Sequence, residues 1–191
     1  MTRTPSTMVE LGTSAAPFTL PDVVSGRSIT LDTFKDARAL LVMFICRHCP
    51  FVKHVQRELA RIAADYERRG VGIVAISSND AAEFREDSPH SLKAMALELG
   101  YTFPFCYDES QAVARAYGAA CTPDFFVFDD DRRLVYRGQL DDSRPGNAKP
   151  VTGADLRAAL DAVLAGTPVS AAQKPSLGCN IKWKAGNAPR Y

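Results

Sequence analysis

An α/β fold built on a mixed sheet is what this sequence predicts, and three stretches carry that prediction. Ala39-Leu40-Leu41-Val42-Met43-Phe44-Ile45 is a continuous apolar run with the length and β-branched or aromatic content of a fully buried strand. Val52, Val55, Leu59, Ile62 and Tyr66 then recur at alternating spacings of three and four. That spacing gives a helix over about 50–69 one apolar face, and Gly70 closes it. Val71-Gly72-Ile73-Val74-Ala75-Ile76 is a second buried strand, so strand, helix and strand make a right-handed βαβ unit with parallel pairing.

The other elements group around this unit. Residues 1–16 are polar and irregular and read as a flexible N-terminus, followed by a domain over 17–166 and a tail over 167–191. Phe18 to Pro21 and Ser28 to Leu31 alternate weakly around Ser25-Gly26, which predicts an N-terminal β-hairpin. Ser77-Ser78-Asn79-Asp80 lies at the carboxyl end of the second buried strand, the side on which open α/β sheets place ligands. Ser88-Pro89 opens a helix that Gly100 ends, and Asp108 is expected to cap a shorter helix over about 109–117. Asp124–Phe128 and Arg133–Arg137 read as an antiparallel hairpin across Asp129-Asp130-Asp131. A last helix runs over 152–166, with Leu156, Leu160, Val163 and Leu164 on one face.

Composition narrows the function classes. The 191 residues are 46% hydrophobic, enough for one ordinary core. A net charge of +1 gives no electrostatic case for nucleic acid or an anionic membrane. No stretch reaches the roughly 18 apolar residues of a bilayer span, and the N-terminus lacks the apolar run of a secretory signal. A cytoplasmic, reducing location is the expectation. There the five cysteines would be reactive, metal-bound or inert rather than a disulfide framework. No glycine-rich phosphate loop, flavin or nicotinamide fingerprint is present, so no cofactor is expected.

Cys46-Arg47-His48-Cys49-Pro50 stands where the first buried strand ends and the helix begins. Unpaired N–H groups and the helix dipole there favour an anion, and a thiolate is an anion. Arg47 and His48 beside the thiols would favour thiolate over thiol and make the disulfide a better oxidant, with a potential above roughly −270 mV. A zinc site would need a second set of ligands from Cys106, Cys121, Cys179 or a histidine. None of these forms another close-spaced pair, so no metal is expected. Cys106, between Phe105 and Tyr107, reads as core, and His54 and His90 as solvated.

With Cys46-Arg47-His48-Cys49 at that junction and Thr122-Pro123 preceding the strand Asp124-Phe125-Phe126-Val127, the chain resembles the thioredoxin superfamily. The resemblance implies a thioredoxin-like fold, a central mixed sheet flanked by helices with a C-terminal extension, and a cis Thr122–Pro123 bond facing the thiols. It also implies an exposed attacking Cys46 and a more buried resolving Cys49. The longer pattern adds Ser77 to Asp80, Asp87-Ser88-Pro89, Cys121 to Phe125, Tyr136 to Arg144 and Ser176 to Lys184. In these it is similar to a peroxiredoxin-like subgroup labelled as alkyl hydroperoxide reductase/thiol-specific antioxidant members. True peroxiredoxins carry Pro-x-x-x-Thr/Ser-x-x-Cys. Aligned on Cys49, the hydroxyl position holds Cys46 and the proline position Val42, which removes an oriented donor from a peroxide.

Three functions remain open on these residues. The first is a thiol–disulfide oxidoreductase in which Cys46 and Cys49 act across Pro123 and Thr122 on a protein or small-molecule disulfide. The second is an antioxidant thiol peroxidase resolved by Cys121 or Cys179. Either enzyme would draw electrons from a thiol donor such as thioredoxin or glutathione. The third is a non-catalytic redox-sensing or binding module. Cys179 is also a candidate to resolve Cys46, and Trp183, between Lys182 and Lys184, would cover the site or make a homodimer contact.

Overall fold

The computed structural model describes residues 3–190. Three short strands open the chain, β1 (Arg3–Pro5), β2 (Thr19–Pro21) and β3 (Ser28–Thr30). There follow β4 (Ala39–Phe44), α1 (Pro50–Tyr66), β5 (Val71–Ser77), α2 (Pro89–Leu99), β6 (Phe105–Tyr107) and α3 (Ala112–Ala116). The rest is β7 (Cys121–Thr122), β8 (Asp124–Phe128), β9 (Leu134–Gly138), α4 (Ala154–Ala165) and β10 (Leu177–Asn180). The central sheet has the order β6-β5-β4-β8-β9. β4 runs parallel to β5 and antiparallel to β8, so the sheet is mixed, and every residue of β4 is buried.

Two cores lie on opposite faces of this sheet. On one face α1, α2 and α4 pack through Val52, Leu59, Ile62, Leu92, Leu156 and Leu160. Each such buried side chain contributes about 1.5–3 kcal/mol. On the other face the β2–β3 hairpin and α3 pack against Leu40, Val42 and Phe44. Gly70 and Gly100 end their helices in the left-handed region, and Ser88 caps α2 by accepting from Ser91 N–H. No helix among the described residues is long and apolar enough to cross a membrane.

The structure departs from the sequence reading at the ends and at α3. Residues 3–16 are not a loose arm. β1 pairs antiparallel with β10, and β10 pairs with β7, making a second, three-stranded sheet from both ends of the chain. These strands are two to four residues long, too short to show an alternation to detect. Asp108 does not cap α3, whose N-cap is Gln111 in the left-handed region. Instead the Asp108 carboxylate accepts from Ser78, Ser110 and the Ala114 N–H, tying the end of β5 to α3.

Candidate active site

Strand β4 delivers Cys46 and helix α1 presents Cys49 as its N-cap, with Pro50 as the first helical residue. From across the site comes the cis Thr122–Pro123 peptide between β7 and β8. The Cys46 sulfur lies 3.3 Å from Thr122 Oγ1, and the Cys49 sulfur 3.1 Å from the Thr122 carbonyl oxygen. A third thiol completes the group: Cys179, on β10, places its sulfur 2.9 Å from that of Cys49.

These contacts set the protonation pattern. Cys179 foremost and then Cys46 lower the Cys49 pKa below the usual thiol range, with the Val52 N–H of the first helical turn acting in the same direction. Cys179 is raised by its contact with Cys49 and by shielding from water. Burial raises Cys46, and its bond to Cys49 and the charge of Asp87 raise it further. The Thr122 carbonyl at 3.1 Å suits a protonated Cys49. Of the three thiols, Cys49 is the one whose pKa is lowered, while Cys46 and Cys179 are raised.

The expected exposure of Cys46 is corrected. Both Cys46 and Cys49 are 0% exposed, and of the two it is Cys49 whose surroundings favour the thiolate. Of the two flanking residues, Arg47 turns away from the sulfurs and only the His48 ring comes near one. Arg47 points its guanidinium at the Ser91 carbonyl, 2.6 Å away, on α2. His48 Nδ1 lies 3.9 Å from the Cys46 sulfur but only 2.5 Å from Asp87 Oδ2, and its ring stacks on Phe84.

Asp87 is the residue that sequence reasoning missed as a part of the site. It is fully buried, and its Oδ1 accepts from the backbone N–H groups of Arg47 (2.8 Å) and His48 (3.1 Å). Its Oδ2 accepts from Asn79 Nδ2 at 2.8 Å and pairs with the His48 ring. Burial alone would raise this carboxyl; His48 and Asn79 outweigh it and leave the pKa below the ordinary value. Asn79 stands in the loop at the end of β5 marked as a ligand side, and its Oδ1 accepts from Lys182 N–H of the tail. Cys46, His48 and Asp87 offer donor atoms within 4.8 Å of one another, a spacing compatible with a metal ion. Both carboxylate oxygens are already taken by hydrogen bonds, so the cluster works as the anchor of the Cys46–Cys49 turn.

Other candidates lie apart. Cys121 is buried with its sulfur 3.6 Å from the Pro123 carbonyl, and its pKa is pushed far up by burial and by Asp124. No hydrogen bond among the described residues joins it to the other three thiols. Cys106 lies in the core on the far face of the sheet and is pushed up to about 12. Cys179 meets Cys49, not Cys46. His54 is half-buried rather than solvated and pairs with Ser143 Oγ at 2.7 Å, beside Pro123 and Leu177 in a small cleft. His90 is exposed, as expected. Trp183 packs at the edge of the second core, beside Gln111, which bonds the tail at Lys182 and Lys184.

The Redoxin family model matches residues 10–156. The chain belongs to the Redoxin family. Its structure is similar to that of an uncharacterized conserved protein from Geobacillus kaustophilus, at 58% identity over 97% of this chain and 98% of that one, with a TM-score of 0.96. It is equally similar to a hypothetical protein from Sinorhizobium meliloti, at 57% identity over 96% and 100% of the two chains, with a TM-score of 0.94. At 19% identity, the thioredoxin domain of a thiol-disulfide oxidoreductase from Bacteroides vulgatus shares the fold, with a TM-score of 0.57 over 71% of this chain and 90% of that one. No curated protein matches the sequence. The family match ends at residue 156, and the tail beyond it adds β10, which pairs with β7 and brings Cys179 to Cys49.

Proposed function

We propose that this Redoxin protein is a thiol–disulfide oxidoreductase acting through Cys49 and Cys46. The observation that carries the reading is the placement of Cys46 and Cys49 at the start of α1, both in contact with Thr122 of the cis Thr122–Pro123 peptide. A thiolate near neutral pH is the competent nucleophile for exchange. Cys49 attacks one sulfur of the substrate disulfide, forming a mixed disulfide and expelling the first thiolate, which takes a proton from water. Cys46 then attacks the Cys49 sulfur, closes Cys46–Cys49 and gives its proton to the second leaving thiolate. This order differs from the one the resemblance implied, because burial raises the Cys46 pKa while that of Cys49 is lowered. A thiol donor such as thioredoxin or glutathione would restore the dithiol, and the reducing compartment expected from the sequence fits that supply.

A second reading, a thiol peroxidase, is favoured by one specific observation. The Thr122 hydroxyl beside Cys46 supplies from another strand the oriented donor that the local sequence lacks. The two readings separate in one assay. Reduction of an aryl disulfide by the dithiol protein should release two thiols per chain, and Cys49→Ser should release none. Cys46→Ser should release at least the first. Rapid peroxide consumption with a trapped Cys49 sulfenic acid, and no disulfide exchange, would favour the peroxidase. Absence of both reactions would leave a redox-sensing module.

A further inference from the structure

The tail is built into the site as a strand. Residues Leu177–Asn180 pair antiparallel with Cys121–Thr122, the segment just before Pro123, with Cys179 opposite Thr122. The fit is close: a Cβ on Gly178 would fall 2.0 Å from the Thr122 carbonyl oxygen, so only glycine admits this approach. The backbone next to Cys179 is therefore pressed against the residue that contacts both Cys46 and Cys49. An extended peptide added to a sheet edge is a common mode of protein recognition, and here the chain's own end occupies that edge and offers a cysteine to Cys49.

We propose that Cys179 is a second resolving thiol, so that Cys49 is shared between two disulfides, Cys46–Cys49 and Cys49–Cys179. The proposal rests on the exchange chemistry proposed above and adds to it a third reactive residue. The two disulfides interconvert without any external oxidant or reductant. The Cys179 sulfur attacks Cys49, the Cys46–Cys49 bond breaks, the Cys49–Cys179 bond forms, and the proton of Cys179 passes to Cys46. Little motion is needed, since the sulfurs close from 2.9 Å to the ~2.05 Å of an S–S bond. The exchange moves oxidation from the turn to the tail, returns Cys46 to its thiol, and fastens β10 across the Thr122–Pro123 edge.

The test counts thiols released from an aryl disulfide whose leaving thiol is coloured. Wild type, if the exchange chemistry operates, releases two per chain. Cys46→Ser should also release two, because Cys179 takes over, and a non-reducing peptide map should then show a Cys49–Cys179 link. The double variant Cys46→Ser/Cys179→Ser should stop at one and keep the probe on Cys49. If Cys46→Ser alone stops at one with the probe retained while wild type releases two, the exchange chemistry stands and the role of Cys179 is overturned. If wild type releases none, both fall. Should Cys46→Ser fold poorly, the peptide map of wild type oxidised with one equivalent of probe decides instead: a Cys49–Cys179 peptide supports the proposal, and Cys46–Cys49 alone overturns it.

Discussion

Asp87 shows how much of the site rests on one carboxylate. It holds the Arg47 and His48 amides and the Asn79 side chain, and its charge adds to the burial that raises the Cys46 pKa. Asp87→Asn is expected to destabilise the protein by about 1–3 kcal/mol through imperfectly paired buried groups and to lower the Cys46 pKa by removing that charge. Thermal unfolding and the pH profile of Cys46 alkylation check the two effects, and an unchanged Cys46 profile would contradict the electrostatic role. The cysteine pair and Thr122-Pro123 were legible in the sequence because their chemistry is local. Asp87 was not, since it lies 40 positions from Arg47 and reads only as a residue before a helix. Arg47 illustrates the opposite error: adjacency in sequence placed a cation beside the thiols, and the side chain turned away to α2.

At the scale of elements, the apolar run of β4 and the periodic face of α1 were readable because burial dictates their composition. β10 was not, because its position is fixed by backbone pairing with β1 and β7 and by Asn79 and Gln111 rather than by apolar alternation. Its one sequence marker is Gly178. Gly178→Ala should force Thr122 and β10 apart and cost on the order of 1–3 kcal/mol, as overpacking does. Hydrogen exchange should then quicken at the Ile181 and Lys182 amides, which bond to the Ala120 carbonyl and Asn79. Unaltered protection there would mean the strand adapts without losing its place.

Across the whole molecule, β1, β8 and β9 meet at a buried network that sequence alone did not suggest. Asp124 accepts from Ser6 Oγ at 2.6 Å, and the Arg137 guanidinium lies over Phe126 while donating to Thr7 Oγ1. Burial raises the Asp124 pKa from 3.8 to about 6, with Arg137 and Ser6 opposing it. A raised acid stabilises the fold below its unfolded pKa, and that contribution is lost as pH climbs through about 6. The shift corresponds to roughly 3 kcal/mol between acidic and neutral pH. Asp124→Asn should remove this component, so the difference in urea unfolding stability between variant and wild type should change between acidic and neutral pH. A difference constant across that range would contradict it.

The central claim is that the negative charge of the three-thiol group sits on Cys49. Ultraviolet absorbance of the thiolate, followed against pH in the reduced protein, tests it most directly, because it needs no access to the buried sulfurs. The account predicts one thiolate per chain already present at neutral pH, lost in Cys49→Ser and retained in Cys106→Ser and Cys121→Ser. A titration in the ordinary thiol range near about 8.5, or a neutral-pH thiolate that survives Cys49→Ser, would contradict it.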